Sequence, residues 1–162
     1  MQLNTLNRPR YLIRLAKTCA VGLALTCALT TSAATPADPE NAARAVMVDF
    51  LDAFNARDAE RWADTLQFPH VRLASGTVTV YADKAEFVAA MDLDSFAASS
   101  GWDHSTWDKM RAIQVSPSKV HIAVVFSRFR ADNSLIASFE SLYVIEQIDG
   151  RWGVRARSSF AP

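Results

Sequence analysis

The stretch IEQIDGRWGVRARSSF, Ile145–Phe160, carries the strongest fold signal in the chain. Its Asp-Gly pair separates two runs rich in β-branched and aromatic residues, which is the pattern of a β-hairpin with a tight turn. Working outward, the β-rich runs are Trp107–Val115, Val120–Arg130, Leu135–Ile148 and Trp152–Phe160, separated by the turn sequences SPSK, ADNS and DG. The C-terminal half therefore predicts a four-stranded antiparallel meander.

The N-terminal half predicts helices. Apolar residues between Ala43 and Phe54 recur at steps of three and four, which predicts an amphipathic helix ending near Asn55. Asp58 caps a second, short helix, a hairpin signal follows at Ser75-Gly76, and Asp83 opens a third helix that ends at the sequence AASSG. Helices followed by an antiparallel meander indicate an α+β fold.

The order of elements resembles the NTF2-like superfamily, which includes SnoaL-like polyketide cyclases and ketosteroid isomerases. The sequence FLDAFNARDAERWADTL, Phe50–Leu66, and the closing hairpin carry this resemblance, which points to a bacterial group of unassigned function. The resemblance implies a cone in which three N-terminal helices pack on a strongly curved antiparallel sheet, with a cavity at its wide end. It also implies a homodimer through the outer sheet face. Because the fold hosts enzymes and non-enzymes, it implies no reaction.

Residues 1–34 have the features of a secretory signal peptide. Four basic residues precede the uncharged run Thr18–Leu29, and TTSAAT supplies small residues for cleavage after Ala33 or Ala34. The apolar run is shorter than the roughly 20 residues of a membrane-spanning helix. A lipoprotein signal at Cys27 is an alternative with a weak match. We expect a periplasmic or secreted protein without a membrane span after signal removal, in which residues 35–40 are a lead-in and residues 41–162 a single NTF2-like domain.

The composition of the chain after signal removal limits the kinds of binding partner that we expect. Loss of the signal peptide removes both cysteines, four of 17 basic residues and none of the 17 acidic ones, which leaves a formal charge near −4. A mildly acidic chain does not favour nucleic acid, since phosphate binding needs a basic face. The three histidines lack metal-ligand spacing and no glycine-rich phosphate loop is present, so we expect neither a metal nor a cofactor.

Strand alternation predicts which side chains share a face of the sheet. Two-residue turns in the last three hairpins would place Gln114 opposite His121, Asp108 opposite Ser127, Ser127 opposite Ser138 and Leu142 opposite Arg157. One face then collects His104, Asp108, Glu140 and Arg157 among small apolar residues, a composition typical of a ligand pocket. The other face is rich in aromatic residues and is either the core or a dimer contact.

Six residues are candidates for a functional site. His104 with Asp108 could act as an acid-base pair, and His70 is a further catalytic candidate at the predicted cavity mouth, although each also has a purely structural interpretation. Trp102, Glu140 and Arg157 are candidate ligand-binding residues, with a packing role for Trp102 and an ion pair between Glu140 and Arg157 as alternatives.

These candidates leave three functions open. The leading hypothesis is binding of a small, partly apolar ligand in the cavity, without an assigned reaction. A cyclase, dehydratase or isomerase that uses the His/Asp pair is the second, and a non-catalytic dimerisation or accessory module is the third.

Overall fold

A computed structural model describes residues 38–161, and the predicted signal peptide lies outside the described residues. Within this range the helices are α1 (Pro39–Asn55), α2 (Ala59–Asp64), α3 (Lys84–Ala90) and α4 (Leu93–Ser100). The strands are β1 (Leu66–Ala74), β2 (Thr77–Tyr81), β3 (His104–Val115), β4 (Lys119–Phe129), β5 (Leu135–Ile148) and β6 (Arg151–Ser159).

Each helix begins after an aspartate whose side chain accepts a hydrogen bond from a backbone N–H of the first turn. Asp58 and Asp83 cap α2 and α3 as the sequence predicts, and Asp38 caps α1. The predicted third helix is in fact two helices. Met91 leaves the helical conformation, and Asp92 caps α4 by accepting from the N–H of Ser95 at 2.9 Å.

All six strands form one curved sheet in the order β2-β1-β6-β5-β4-β3. Neighbouring strands are antiparallel except β1 and β6, which run parallel. The β1-β2 hairpin therefore extends the meander predicted from the C-terminal half, and the prediction of an α+β fold with helices on a curved sheet is confirmed.

One face of the sheet packs against the helices, and we call it the inner face; the opposite side is the outer face. Aromatic side chains dominate the inner contacts. Phe50 of α1 meets Trp62 at a centroid distance of 5.3 Å and Tyr143 of β5 at 5.5 Å, both edge to face. The aromatic-rich face of the meander is therefore the core. Such edge-to-face pairs add to the stabilisation from burial.

The strand pairings that two-residue turns predict are found only in the parts of the strands nearest the turns. Gln114 pairs with His121, and Ser127 pairs with Ser138, as predicted. Farther along β3, the pairing with β4 shifts at two β-bulges, where Asp108 and Ile113 are the extra residues. As a result Thr106, rather than Asp108, lies opposite Ser127.

A third bulge changes the position of a predicted site residue. In β6, Arg155 is an extra residue, so that Arg157 pairs with Tyr143 rather than with Leu142. A shift of one residue moves a side chain to the other face of a sheet. Arg157 consequently lies on the inner face while Glu140 lies on the outer face. The prediction that these two residues are neighbours on one face is wrong.

Candidate functional site

A cavity of about 300 Å³ lies between the inner face of the sheet and helices α3 and α4. Its volume falls at the lower end of the range of small-molecule sites. The lining residues are Phe50, Trp62, Leu66, His70, Arg72, Tyr81, Phe87, Ala90, Met91, Asp92, Leu93, Phe96 and Arg157. Apolar walls with a few polar groups are typical of a ligand pocket.

Two arginines form the polar side of this cavity. Arg72 on β1 is the direct register partner of Arg157 on β6, so the two side chains leave neighbouring strands on the same face. Neither arginine has a carboxylate within 4.0 Å among residues 38–161. Two cations are thus held side by side without an internal counter-ion.

A third arginine, Arg128 on β4, adds to the positive charge of this region. Its guanidinium carbon lies 5.0 Å from the ring centroid of Phe96 and 5.2 Å from that of Phe139, both in cation–π range. The Nε atoms of Arg128 and Arg157 are buried without a hydrogen-bond partner in the described part of the chain. A buried polar group left unpaired is costly, so these nitrogens are a departure from ordinary core packing.

Burial and mutual repulsion perturb these cations. Burial, together with the charges of Arg157 and Arg72, lowers the pKa of Arg128 to about 10. The pKa of Arg72 is also lowered, by burial and then by Arg157. Arg72 and Arg128 remain protonated at neutral pH, because the pKa of an arginine stays far above that range. The carboxylate among the lining residues belongs to Asp92, whose side chain is exposed and accepts from Ser95. The cavity is therefore net positive.

His70 contributes a neutral ring to the same cavity. The pairing of β1 with β6 is interrupted between Leu66 and Val71, and there Nδ1 of His70 lies 3.0 Å from the carbonyl oxygen of Val154. Burial lowers the pKa of His70 to about 4, a shift that the hydrogen bond to Val154 opposes and that Arg157 reinforces. The imidazole is therefore uncharged at neutral pH.

The tyrosine next to the arginines is a neutral phenol. Tyr143 is fully buried on β5 opposite Arg157, and burial raises its pKa even though Arg157 opposes that shift. A phenol cannot serve as a counter-ion in this state. The excess positive charge of the cavity is left without compensation by the described residues.

The predicted site residues are distributed over several places. His70 and Arg157 line the cavity. Trp102 is buried, packs at 4.6 Å on the ring of Phe54, and donates from Nε1 to the hydroxyl of Ser105 at 2.9 Å. Its contacts are those of a packing residue.

His104 and Asp108, the candidate acid-base pair, do not hydrogen-bond to each other. His104 Nδ1 lies 2.9 Å from Oδ2 of Asp103, and its ring stacks on Phe129. Asp108, the bulge residue of β3, accepts hydrogen bonds from Thr106 and Ser127. The expectation that both side chains point toward the cavity is wrong, since neither belongs to its lining.

Sequence reasoning missed Arg72 and Arg128. A signal for Arg128 was present, because it continues the apolar alternation Ile122, Val124, Phe126 and so occupies an inward-facing position. A charged residue at such a position is unusual in a strand that packs on a core. The same reasoning does not find Arg72, since its strand lacks a clean alternation.

A second hollow, of about 700 Å³, lies on the outer face of the sheet. Its lining residues are Lys109, Met110, Arg111, Ala123, Val124, Val125, Glu140, Ser141, Leu142, Ser158 and Phe160. Its charged residues Lys109, Arg111 and Glu140 are exposed to solvent, unlike the arginines of the inner cavity. Water can hydrate these groups, so the charges of the outer hollow do not need a counter-ion.

Two further features concern metal binding and membrane insertion by residues 38–161. No cluster of three or more His, Cys, Asp or Glu side chains suited to a metal ion occurs in this range. No helix in the same range is both long and apolar enough to span a membrane.

Comparison with solved structures identifies proteins of similar fold. A protein of unknown function with a cystatin-like fold from Nostoc punctiforme superposes with a TM-score of 0.63 at 9% identity, covering 76% of this chain and 90% of that chain. An NTF2-like protein from Novosphingobium aromaticivorans superposes with a TM-score of 0.62 at 10% identity, over 76% of this chain and 81% of that one. At these identities the likeness shows the fold alone.

A third solved structure is that of a complex. A protein from Catenulispora acidiphila, in complex with S-DNPA, superposes with a TM-score of 0.59 at 16% identity, over 75% of this chain and 91% of that chain. No curated protein matches the sequence. The family described as NTF2-like protein (DUF6841) matches residues 39–159. The chain therefore belongs to this NTF2-like family.

Proposed function

We propose that this protein binds a small, partly apolar molecule that carries a carboxylate, and that the binding site is the inner cavity. The observation that carries the proposal is the pairing of Arg72 with Arg157 on adjacent strands without an acidic partner within residues 38–161. Arginine is suited to this task because its planar fork matches a carboxylate with two parallel hydrogen bonds.

Without a ligand, the two arginines of the cavity carry an electrostatic free-energy cost. Removing a cation from water is expensive, and a second cation beside it adds repulsion. An anionic group between Arg72 and Arg157 offsets both terms, while Trp62, Phe87 and Leu93 provide an apolar surface for the rest of the molecule. An open cavity of this size also favours ligand binding over a purely accessory module.

The Catenulispora acidiphila protein supports the proposal at the level of the fold. That protein is described in complex with S-DNPA, so the same architecture holds a small molecule there. In this chain its own arginines would select the ligand. We assign no reaction to the site.

Isothermal titration calorimetry with benzoate, phenylacetate and 3-phenylpropionate, each against its neutral amide, tests the proposal. We expect at least one acid to bind and its amide to bind far more weakly. Arg157→Met should weaken binding about 10- to 100-fold, because a hydrogen bond to a charged group contributes about 1.5–3 kcal/mol. Arg111→Met, an exposed arginine of the outer hollow, is the matched control and should leave the affinity unchanged. Equal binding of acids and amides would contradict the proposal.

We also propose that the protein is exported. The basic, apolar and small-residue segments of residues 1–34 support this assignment. Cell fractionation combined with N-terminal sequencing tests it. A chain that begins after Ala33 or Ala34 in the exported fraction is expected, and an intact N-terminus in the cytoplasmic fraction would refute it.

The outer face of the sheet is our proposed homodimer contact. Val125, Leu142 and Phe160 line its hollow, and Phe160 is 82% exposed, which is unusual for a large apolar residue. Leu142→Glu should shift the protein from dimer to monomer in analytical ultracentrifugation. Val48→Glu, at an exposed apolar position of α1, should not. A monomeric wild-type protein would rule out the contact.

A further inference from the structure

His70 holds its ring in one orientation and one tautomer. The ring stacks over Tyr81 at 6.4 Å and meets Phe87 edge on at 6.1 Å, and Nδ1 lies 3.0 Å from the Val154 carbonyl oxygen. A carbonyl oxygen only accepts hydrogen bonds, so Nδ1 must carry the hydrogen. In a neutral imidazole the other nitrogen, Nε2, then has a lone pair and no hydrogen.

Burial and the surrounding charges keep the His70 ring neutral. Burial lowers its pKa most, and Arg157 and Arg155 on β6 and Arg72 on its own strand act in the same direction. The other titratable groups of the cavity are Tyr81 on β2 and Asp92 at the exposed start of α4. Protonation of His70 would place a fourth cation beside these three arginines.

Nε2 of His70 is a polar atom of the cavity that has no hydrogen-bond partner among the described residues. No residue from 38 to 161 hydrogen-bonds to it, whereas Nδ1 is engaged by Val154. His70 precedes Arg72 by two residues on β1, so both side chains face the cavity about 7 Å apart along the strand. The cavity thus offers donors from the arginines and, within the span of one small molecule, an acceptor from His70.

We propose that the ligand is a hydroxy acid, whose carboxylate contacts Arg72 and Arg157 while its hydroxyl group donates a hydrogen bond to Nε2 of His70. This inference rests on the proposed function and adds the chemical class of the ligand. A site built to hydrogen-bond a hydroxyl rejects the analogue that lacks it, because the buried acceptor is then left unpaired.

Matched acids test the inference. The probes are mandelate against phenylacetate, and 3-hydroxy-3-phenylpropionate against 3-phenylpropionate, measured by calorimetry at pH 7.5. In the wild-type protein at least one hydroxy acid should bind about tenfold more tightly than its deoxy partner. His70→Asn keeps an N–H for Val154 but removes the acceptor, so it should abolish the preference and retain binding of the deoxy acids. His121→Asn, on the outer face, is the matched control and should keep the preference.

The outcomes separate the two proposals. If deoxy acids bind but hydroxy acids bind no better, the ligand class is wrong while the carboxylate site stands. If no acid binds, both fail. A second measurement on the unmodified protein covers the case in which His70→Asn does not fold: the two-bond ¹⁵N–¹H spectrum of its three histidines should show His70 as the neutral Nδ1–H tautomer. An Nε2–H tautomer would overturn the inference.

Discussion

On the outer face of the sheet, Lys119 of β4 lies 2.5 Å from a carboxylate oxygen of Glu146 on β5. On the inner face, Arg72 and Arg157 occupy a similar cross-strand position, and a second cation stands where the outer face has an acid. The outer pair is the ordinary arrangement of surface charges, opposite in sign and in contact with water. The inner pair is costly to bury and has no counter-ion among the described residues.

This difference separates charges that support the fold from charges that serve a ligand. A structural ion pair is complete without any other molecule, and its removal changes stability only slightly when it is exposed. Unpaired cations in a cavity reduce stability and gain a partner only when an anion enters. The comparison predicts opposite responses to mutation on the two faces.

The largest expected effect is on binding. Replacing both inner arginines, Arg72→Met with Arg157→Met, should weaken binding of an aromatic carboxylate on the order of a thousandfold, since two charged hydrogen-bonding groups are lost. Calorimetry measures this loss. Replacing Lys119 on the outer face by Met should leave the affinity unchanged, and a comparable loss in that variant would remove the distinction between the faces.

The second-largest expected effect is on the stability of the protein in acid. It depends on the protonation of His70. Its pKa is about 4 in the folded protein and 6.5 ordinarily, so between these pH values the unfolded chain binds more protons than the folded one. The contribution of His70 to the free energy of unfolding is therefore complete above pH 6.5 and falls by about 3 kcal/mol as the pH drops toward 4.

Urea denaturation at a series of pH values checks this expectation. His70→Asn should flatten the dependence between pH 6.5 and 4, whereas His121→Asn should leave it as in the wild-type protein. An unchanged slope in His70→Asn would mean that the ring is already charged or exposed, and the inner cavity would then be more hydrated than its burial indicates.

The smallest expected effect is on the free energy of unfolding without ligand. Its sign differs between the inner and the outer face. Without ligand, Arg157→Met should raise the free energy of unfolding by about 1 kcal/mol, since replacing a partly buried, uncompensated charge with an apolar residue is often stabilising. Lys119→Met should lower it by less than about 1 kcal/mol. Thermal and urea denaturation measure both. A destabilised Arg157→Met would show that Arg157 has a structural role.

The parts of the fold that depend on local sequence were predictable. The aspartate caps, the amphipathic pattern of α1 and the Asp-Gly turn each act over a few residues, so their positions can be read from the chain. The division of α3 from α4 was missed, although Asp92 has the same capping role as Asp83. The place of β1 beside β6 was also missed, because a parallel pairing between distant segments has no local signal.

The candidate site was less predictable because bulges decide which way side chains point. One extra residue, Arg155, places Arg157 on the inner face, and another, Asp108, leaves its own carboxylate outside the cavity. Nothing in the residue types of these strands marks the bulges. Arg157 and His70 were identified as candidates, but their common cavity and their shared neighbour Arg72 required the register of the whole sheet.

A crystal structure of the protein with 3-phenylpropionate tests the central claim most directly. We expect the carboxylate between the guanidinium groups of Arg72 and Arg157, with the phenyl ring against Trp62 and Phe87. A carboxylate bound instead in the outer hollow beside Lys109 and Arg111, with the inner cavity empty, would contradict it.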